Sequence, residues 1–105
     1  MKLNNIFALL PHNLETEVFE IIIQNGSIKV ERIISKGHAS PHGEWYDQAQ
    51  SEWVMILQGE AILTVENDKD YHLVSGSYLD IPAHTRHRVT WTVPDIETIW
   101  LAVYY

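Results

Sequence analysis

With 105 residues, no cysteine and a formal charge of −7, the chain has room for one hydrophobic core and none for a disulfide or a thiolate metal site. An acidic domain starts at an electrostatic disadvantage on nucleic acid and on anionic membranes, so neither is expected as a partner. The apolar stretch Ile6 to Leu10 is too short to span a bilayer and no small-residue cleavage site follows it, so a cytoplasmic location is expected.

Residues 1–15 read as an N-terminal extension that holds the one helical pattern of the chain, and residues 16–104 as a single β domain. Glu17 to Gln24 is the first β-branched run and ends at Asn25-Gly26, a strong hairpin signal. Ile28 to Ser35 follows, then a Gly/Pro loop from Gly37 to Gly43. Glu52 to Leu57 leads through Gln58-Gly59 into Glu60 to Glu66, which Asn67 to Asp70 turns back into Tyr71 to Val74. Ser75-Gly76-Ser77 precedes Tyr78 to Ile81, and Pro82 to Thr85 makes a tight loop. Arg86 to Val93 and Glu97 to Tyr104 complete the series. Short strands at close spacing in a chain almost free of helix predict an all-β sandwich, jelly roll or small barrel.

Alternation assigns faces. In Arg86 to Val93 the odd positions His87, Val89, Trp91 and Val93 form the apolar side, so His87 is expected inside. Glu52 shares its parity with Val54 and Ile56 and is expected inside too. A buried carboxylate and a buried imidazole each need partners. The last run is apolar on both sides, with Ile99, Leu101 and Val103 on one and Trp100, Ala102 and Tyr104 on the other. Trp53, Met55 and Leu57 repeat that feature, and together they predict a homodimer.

The string Gly76-x5-Pro82-x-His84-x2-His87 resembles the second motif of the cupin superfamily, with His84 in place of its second glycine and Trp91 in place of its asparagine. Glu52-x6-Gly59 resembles the end of the first motif. The stretch from Ser40 to Gln48, with Glu52-Trp53-Val54 and Pro82 to Val89, is similar to small single-domain bacterial cupins. The resemblance implies a double-stranded β-helix, or jelly-roll, barrel with a ligand-binding lumen. It also implies a metal held by three histidines and a glutamate, but the slots of the family's His-x-His pair hold Tyr46 and Gln48 in one register and Trp45 and Asp47 in the other.

Glu52 and His87 are thus the expected core of a divalent metal site for Fe, Mn, Zn or Ni, with Asp47 as third ligand, His42 as a fourth from its loop and Gln48 as a weaker neutral oxygen. Trp45, Tyr46, His84 and Trp91 are the expected substrate-pocket residues. Two metal-free readings stand beside this one: Glu52 as a structural ion pair with Arg86 or Arg88, and His87 as a core histidine bonded to Tyr46 or Asp47. Two functions follow: a metal-dependent enzyme acting on a small metabolite, or a non-catalytic barrel that binds a small ligand without a metal.

Overall fold

Gly26 and Ser27 turn the first hairpin, with Gly26 at φ +59°, in the left-handed region that glycine enters without steric cost. They join β1 (Val18–Asn25) to β2 (Ile28–Ser35) in antiparallel register. This computed structural model describes all 105 residues. It continues with β3 (Glu52–Gln58), β4 (Glu60–Val65), β5 (Asp70–Val74), β6 (Tyr78–Ile81), β7 (His87–Thr92) and β8 (Thr98–Tyr104). Each lies within a residue or so of its predicted run.

The strands form a five-stranded sheet in the order β1-β2-β8-β3-β6 and a three-stranded sheet in the order β5-β4-β7, antiparallel throughout. Ile33, Val54, Ile56, Trp100, Ala102 and Ile81 of the first sheet pack with Ala61, Leu63 and Leu73 of the second in one core. The architecture is the all-β, jelly-roll type expected from the sequence.

The N-terminal helix is not formed; residues 1–15 contain only turns and bends. The Asn5 side chain accepts a bond from the backbone N–H of Phe7, which competes with helical bonding. The Arg32 guanidinium of β2 takes the carbonyls of Ile6, Ala8 and Leu9, acceptors that a helix would need for itself.

Two irregularities depart from a plain strand pattern. A bulge in β7 sets Trp91 opposite Ile62 but Val89 opposite Leu63, so Thr90 is the extra residue and the alternation reverses there. Thr92 is therefore buried and Trp91 is exposed, contrary to the simple period of two. At the turn from β3 to β4, Gly59 has φ +96° and lies so close to Thr98 that an added Cβ would meet Thr98 Oγ1 and stand 2.6 Å from its Cα. That approach explains the glycine at the end of the Glu52-x6-Gly59 string.

Candidate functional site

β3 opens with Glu52 on its inner face, followed by Val54 and Ile56. β7 opens with His87, and the extended Tyr46 is bridged to it by two backbone bonds, from Tyr46 N to the His87 carbonyl at 2.7 Å and from His87 N to the Tyr46 carbonyl at 3.1 Å. β8 lies next to β3, with Tyr104 opposite Glu52. These elements line a half-open cavity of about 80 Å³. Its walls carry the aliphatic side chains of Ile33, Val54, Leu63 and Val89 and the rings of Phe19, Tyr46, Trp100 and Tyr104. Its polar groups are Glu17, Gln48, Glu52 and His87.

The imidazole of His87 is fixed in orientation. Its Nδ1–H donates to the Thr85 carbonyl at 2.8 Å, which leaves Nε2 facing Oε1 of Glu52 at 3.4 Å. The same oxygen accepts a bond from the Gln48 amide at 2.8 Å. Burial pushes the His87 pKa down, but the Glu52 carboxylate and the Thr85 carbonyl outweigh it and hold the imidazole above its ordinary value. The imidazole is thus biased toward its protonated form.

The phenols around the cavity respond in the same sense. Burial, reinforced by the Glu17 and Glu52 carboxylates, raises the Tyr46 pKa. Burial, reinforced by Glu52 and Glu31, raises that of Tyr104 far more. Glu17 accepts a bond from the Ser35 hydroxyl, and Glu31 pairs with Lys29 at 3.6 Å. No lysine or arginine lines the cavity.

Of the residues singled out in the sequence, Glu52, His87, Gln48 and Tyr46 meet at this cavity. Asp47 does not join them. The extended chain turns alternate side chains to opposite sides, so Tyr46 and Gln48 face the cavity while Asp47 points out to an exposed hydrogen bond with His84 at 3.0 Å. Trp45 shares the parity of Asp47 and lies beneath the Arg88 guanidinium, 5.8 Å from the ring centre, away from the cavity. His42 is exposed on its loop beside Gly43. His84 is exposed as well, at φ +61°, the left-handed conformation suited to the glycine it replaces. Trp91 is turned outward by the β7 bulge. The pocket assigned to Trp45, Tyr46, His84 and Trp91 therefore keeps only Tyr46.

Arginine is not the partner of Glu52. Arg86 pairs with Glu66 at 3.4 Å and Arg88 donates to the Ser40 carbonyl at 3.2 Å. Glu17, Phe19 and Tyr104 were not foreseen at the site. Glu17 and Phe19 do alternate correctly, but the run Ile21-Ile22-Ile23 is apolar on both faces and hides the inner one.

The donor set does not fit the expected metal. No three His, Asp or Glu side chains are grouped so that they could hold an ion. Asp47 and His42 stand elsewhere, and Glu17, though it lines the same cavity, is not grouped with Glu52 and His87 at ligand spacing. One imidazole and one carboxylate, with Gln48 presenting its amide N–H to Glu52 and not its oxygen to a shared point, fall short of the three protein ligands a divalent site ordinarily needs.

Residues 31–104 match the Cupin domain family. A candidate mannose-6-phosphate isomerase from Ralstonia eutropha JMP134 superposes with a TM-score of 0.95 at 44% identity, over 99% of this chain and 97% of that one. The protein TT1209 from Thermus thermophilus superposes with a TM-score of 0.79 at 18% identity, over 99% and 96%. Fe(II)-HppE superposes at 0.72 with 17% identity, over 91% of this chain and 53% of that one. The last two likenesses establish the fold alone. No curated protein matches.

Proposed function

Since this chain belongs to the cupin family, whose barrel here holds a cavity lined by Glu52 and His87, we propose that it is a small-ligand-binding barrel whose site is organised by that pair without a metal. The observation that carries this reading is the mutual engagement of the two groups. Nε2 of His87, the nitrogen a metal would need, faces Oε1 of Glu52, and that oxygen is held by Gln48. A ligand entering past Tyr46 and Phe19 would meet a polar floor of Glu52 and His87 within aromatic and aliphatic walls, the usual composition of a small-molecule site.

The Ralstonia relative's description as a candidate sugar-phosphate isomerase is not carried over. A phosphate at this cavity would face Glu17 and Glu52 with no lysine or arginine to receive it.

The test is a thermal-shift screen of small metabolites on chelator-treated protein. A metabolite that raises the melting temperature equally with and without EDTA, and fails to do so on Tyr46→Ala, supports the reading. Stabilisation that vanishes with EDTA and returns with zinc, manganese or iron overturns it.

The assembly belongs to the same proposal. β1 is the edge strand of the larger sheet, and Ile21, Ile22 and Ile23 are exposed along it without the lysine or proline that usually guards such an edge. The half-buried Leu101 and Val103 of β8 and Trp53 and Met55 of β3 extend the apolar surface, and a homodimer would cover it.

A further inference from the structure

We propose that the cavity selects a small organic cation, an ammonium or alkylammonium head group, which the aromatic rings of its walls would surround and the Glu17 carboxylate would neutralise; this rests on the ligand-binding reading above. Three observations carry the inference.

The first is charge. Two carboxylates, Glu17 and Glu52, line the cavity, and His87 is the one lining group able to oppose them. With His87 protonated it offsets Glu52, against which it lies, and Glu17 remains uncompensated. Glu17 accepts from the Ser35 hydroxyl, a neutral donor that leaves its charge in place. Lys29 is taken up by Glu31 and lies over the Tyr104 ring, 4.6 Å from its centre. The raised pKa values of His87, Tyr46 and Tyr104 each include a carboxylate among their causes, as expected of a negative interior.

The second is the wall. Phe19, Tyr46, Trp100 and Tyr104 all contribute to one small space. Aromatic faces carry negative quadrupole charge, and a cation held among several of them with little water is bound more strongly than an uncharged group of the same shape. Phe19 is 51% exposed and Tyr46 45% exposed, so they form the open side, whereas Trp100 is buried at the back.

The third is size. The cavity, about 80 Å³, is roughly half the apolar cavity of about 150 Å³ that accepts benzene in other proteins. It suits a head group of a few heavy atoms whose remaining chain leaves through the Phe19–Tyr46 opening. The overall charge of −7 adds a long-range attraction for cations.

The experiment uses choline and its neutral carbon isostere 3,3-dimethylbutan-1-ol as a matched pair, with mannose-6-phosphate as the anionic probe. Binding is measured by calorimetry at low salt on the full chain in the presence of EDTA. Choline is expected to bind at least roughly tenfold more tightly than its isostere, with no binding of the phosphate. Glu17→Gln keeps the shape and the Ser35 contact and should weaken choline by about tenfold and the isostere far less. Phe19→Leu, at the open side, should weaken choline more than the isostere. The circular dichroism and melting temperature of both variants without ligand check that they fold.

If the isostere or the phosphate binds at the cavity as well as choline or better, with binding lost in Tyr46→Ala, the cation inference is overturned while the ligand-binding reading stands. If none of the three probes binds, and no compound of the metabolite screen does, both fall.

Discussion

Oε1 of Glu52 stands 3.4 Å from Nε2 of His87, and both side chains are almost entirely shielded from water. An imidazole in such a place would lose its proton if burial acted alone. The adjacent carboxylate and the Thr85 carbonyl reverse that preference and favour the protonated imidazole against an apolar wall.

The pair therefore makes stability depend on pH in a defined direction. The folded-state pKa of His87 is raised, so its contribution is complete below the unfolded value of about 6.5 and is lost as pH rises through the folded value. Denaturant titrations from pH 6 upward should show declining stability, and His87→Gln should remove that component. In Glu52→Gln the opposing carboxylate is gone and burial prevails, so the His87 pKa, followed by NMR of the ring protons, should fall relative to the native chain. An unchanged value would mean that the two groups do not interact.

Tyr104 supplies an independent reading at alkaline pH. Burial, with the Glu52 and Glu31 carboxylates beside it, pushes its phenol far above the ordinary value of about 10. Spectrophotometric titration should leave one tyrosine un-ionised until the protein unfolds, and Tyr104→Phe should abolish that lagging component. The same raised pKa means that stability is lost as pH climbs past the unfolded tyrosine value, so alkaline unfolding should move to higher pH in Tyr104→Phe.

Glycines with similar dihedral angles should differ sharply in what they tolerate. Gly59 and Gly76 both have positive φ, at +96° and +90°, but a Cβ on Gly59 would collide with the backbone of Thr98 while one on Gly76 would meet nothing within 4 Å. Gly76→Ala should cost about 1–2 kcal/mol from backbone strain alone. Gly59→Ala should cost more than about 3 kcal/mol or leave the chain unfolded, because β8 must move away from the turn. Equal costs, measured by chemical denaturation, would overturn this account of the collision.

Edge strand β1 provides the test of assembly. The native chain should sediment as a dimer, and Ile22→Lys, which places a charge on the exposed edge, should shift it toward monomer while preserving the circular dichroism spectrum. A monomeric native chain would remove the homodimer from the proposal.

The strand order along the chain was legible because each strand announces itself locally. Asn25-Gly26, Gln58-Gly59, Asn67 to Asp70 and Ser75 to Ser77 are turn signals, and β-branched residues fill the intervals. The inward facing of Glu52 and His87 was legible too, since each is the first residue of a strand and shares the parity of its apolar neighbours. Parity fails where a bulge intervenes. Thr90 reverses the alternation and sends Trp91 to the surface, and no residue type marks that position in advance.

The sequence by itself determined an all-β barrel and two polar groups aimed into it, because hydrophobic periodicity and turn chemistry are properties of short stretches of chain. Which third group would join that pair depended on the path of the loop from Gly37 to Ser51, where Tyr46 bonds to β7 and so commits Gln48 to the cavity and Asp47 to His84. Only the tertiary structure decided that, along with the arrival of Glu17 and Phe19 beside residues far away in the chain. Contacts between distant segments are set by how sheets stack and where bulges fall, and a one-residue change of register in a strand exchanges every inward side chain for an outward one.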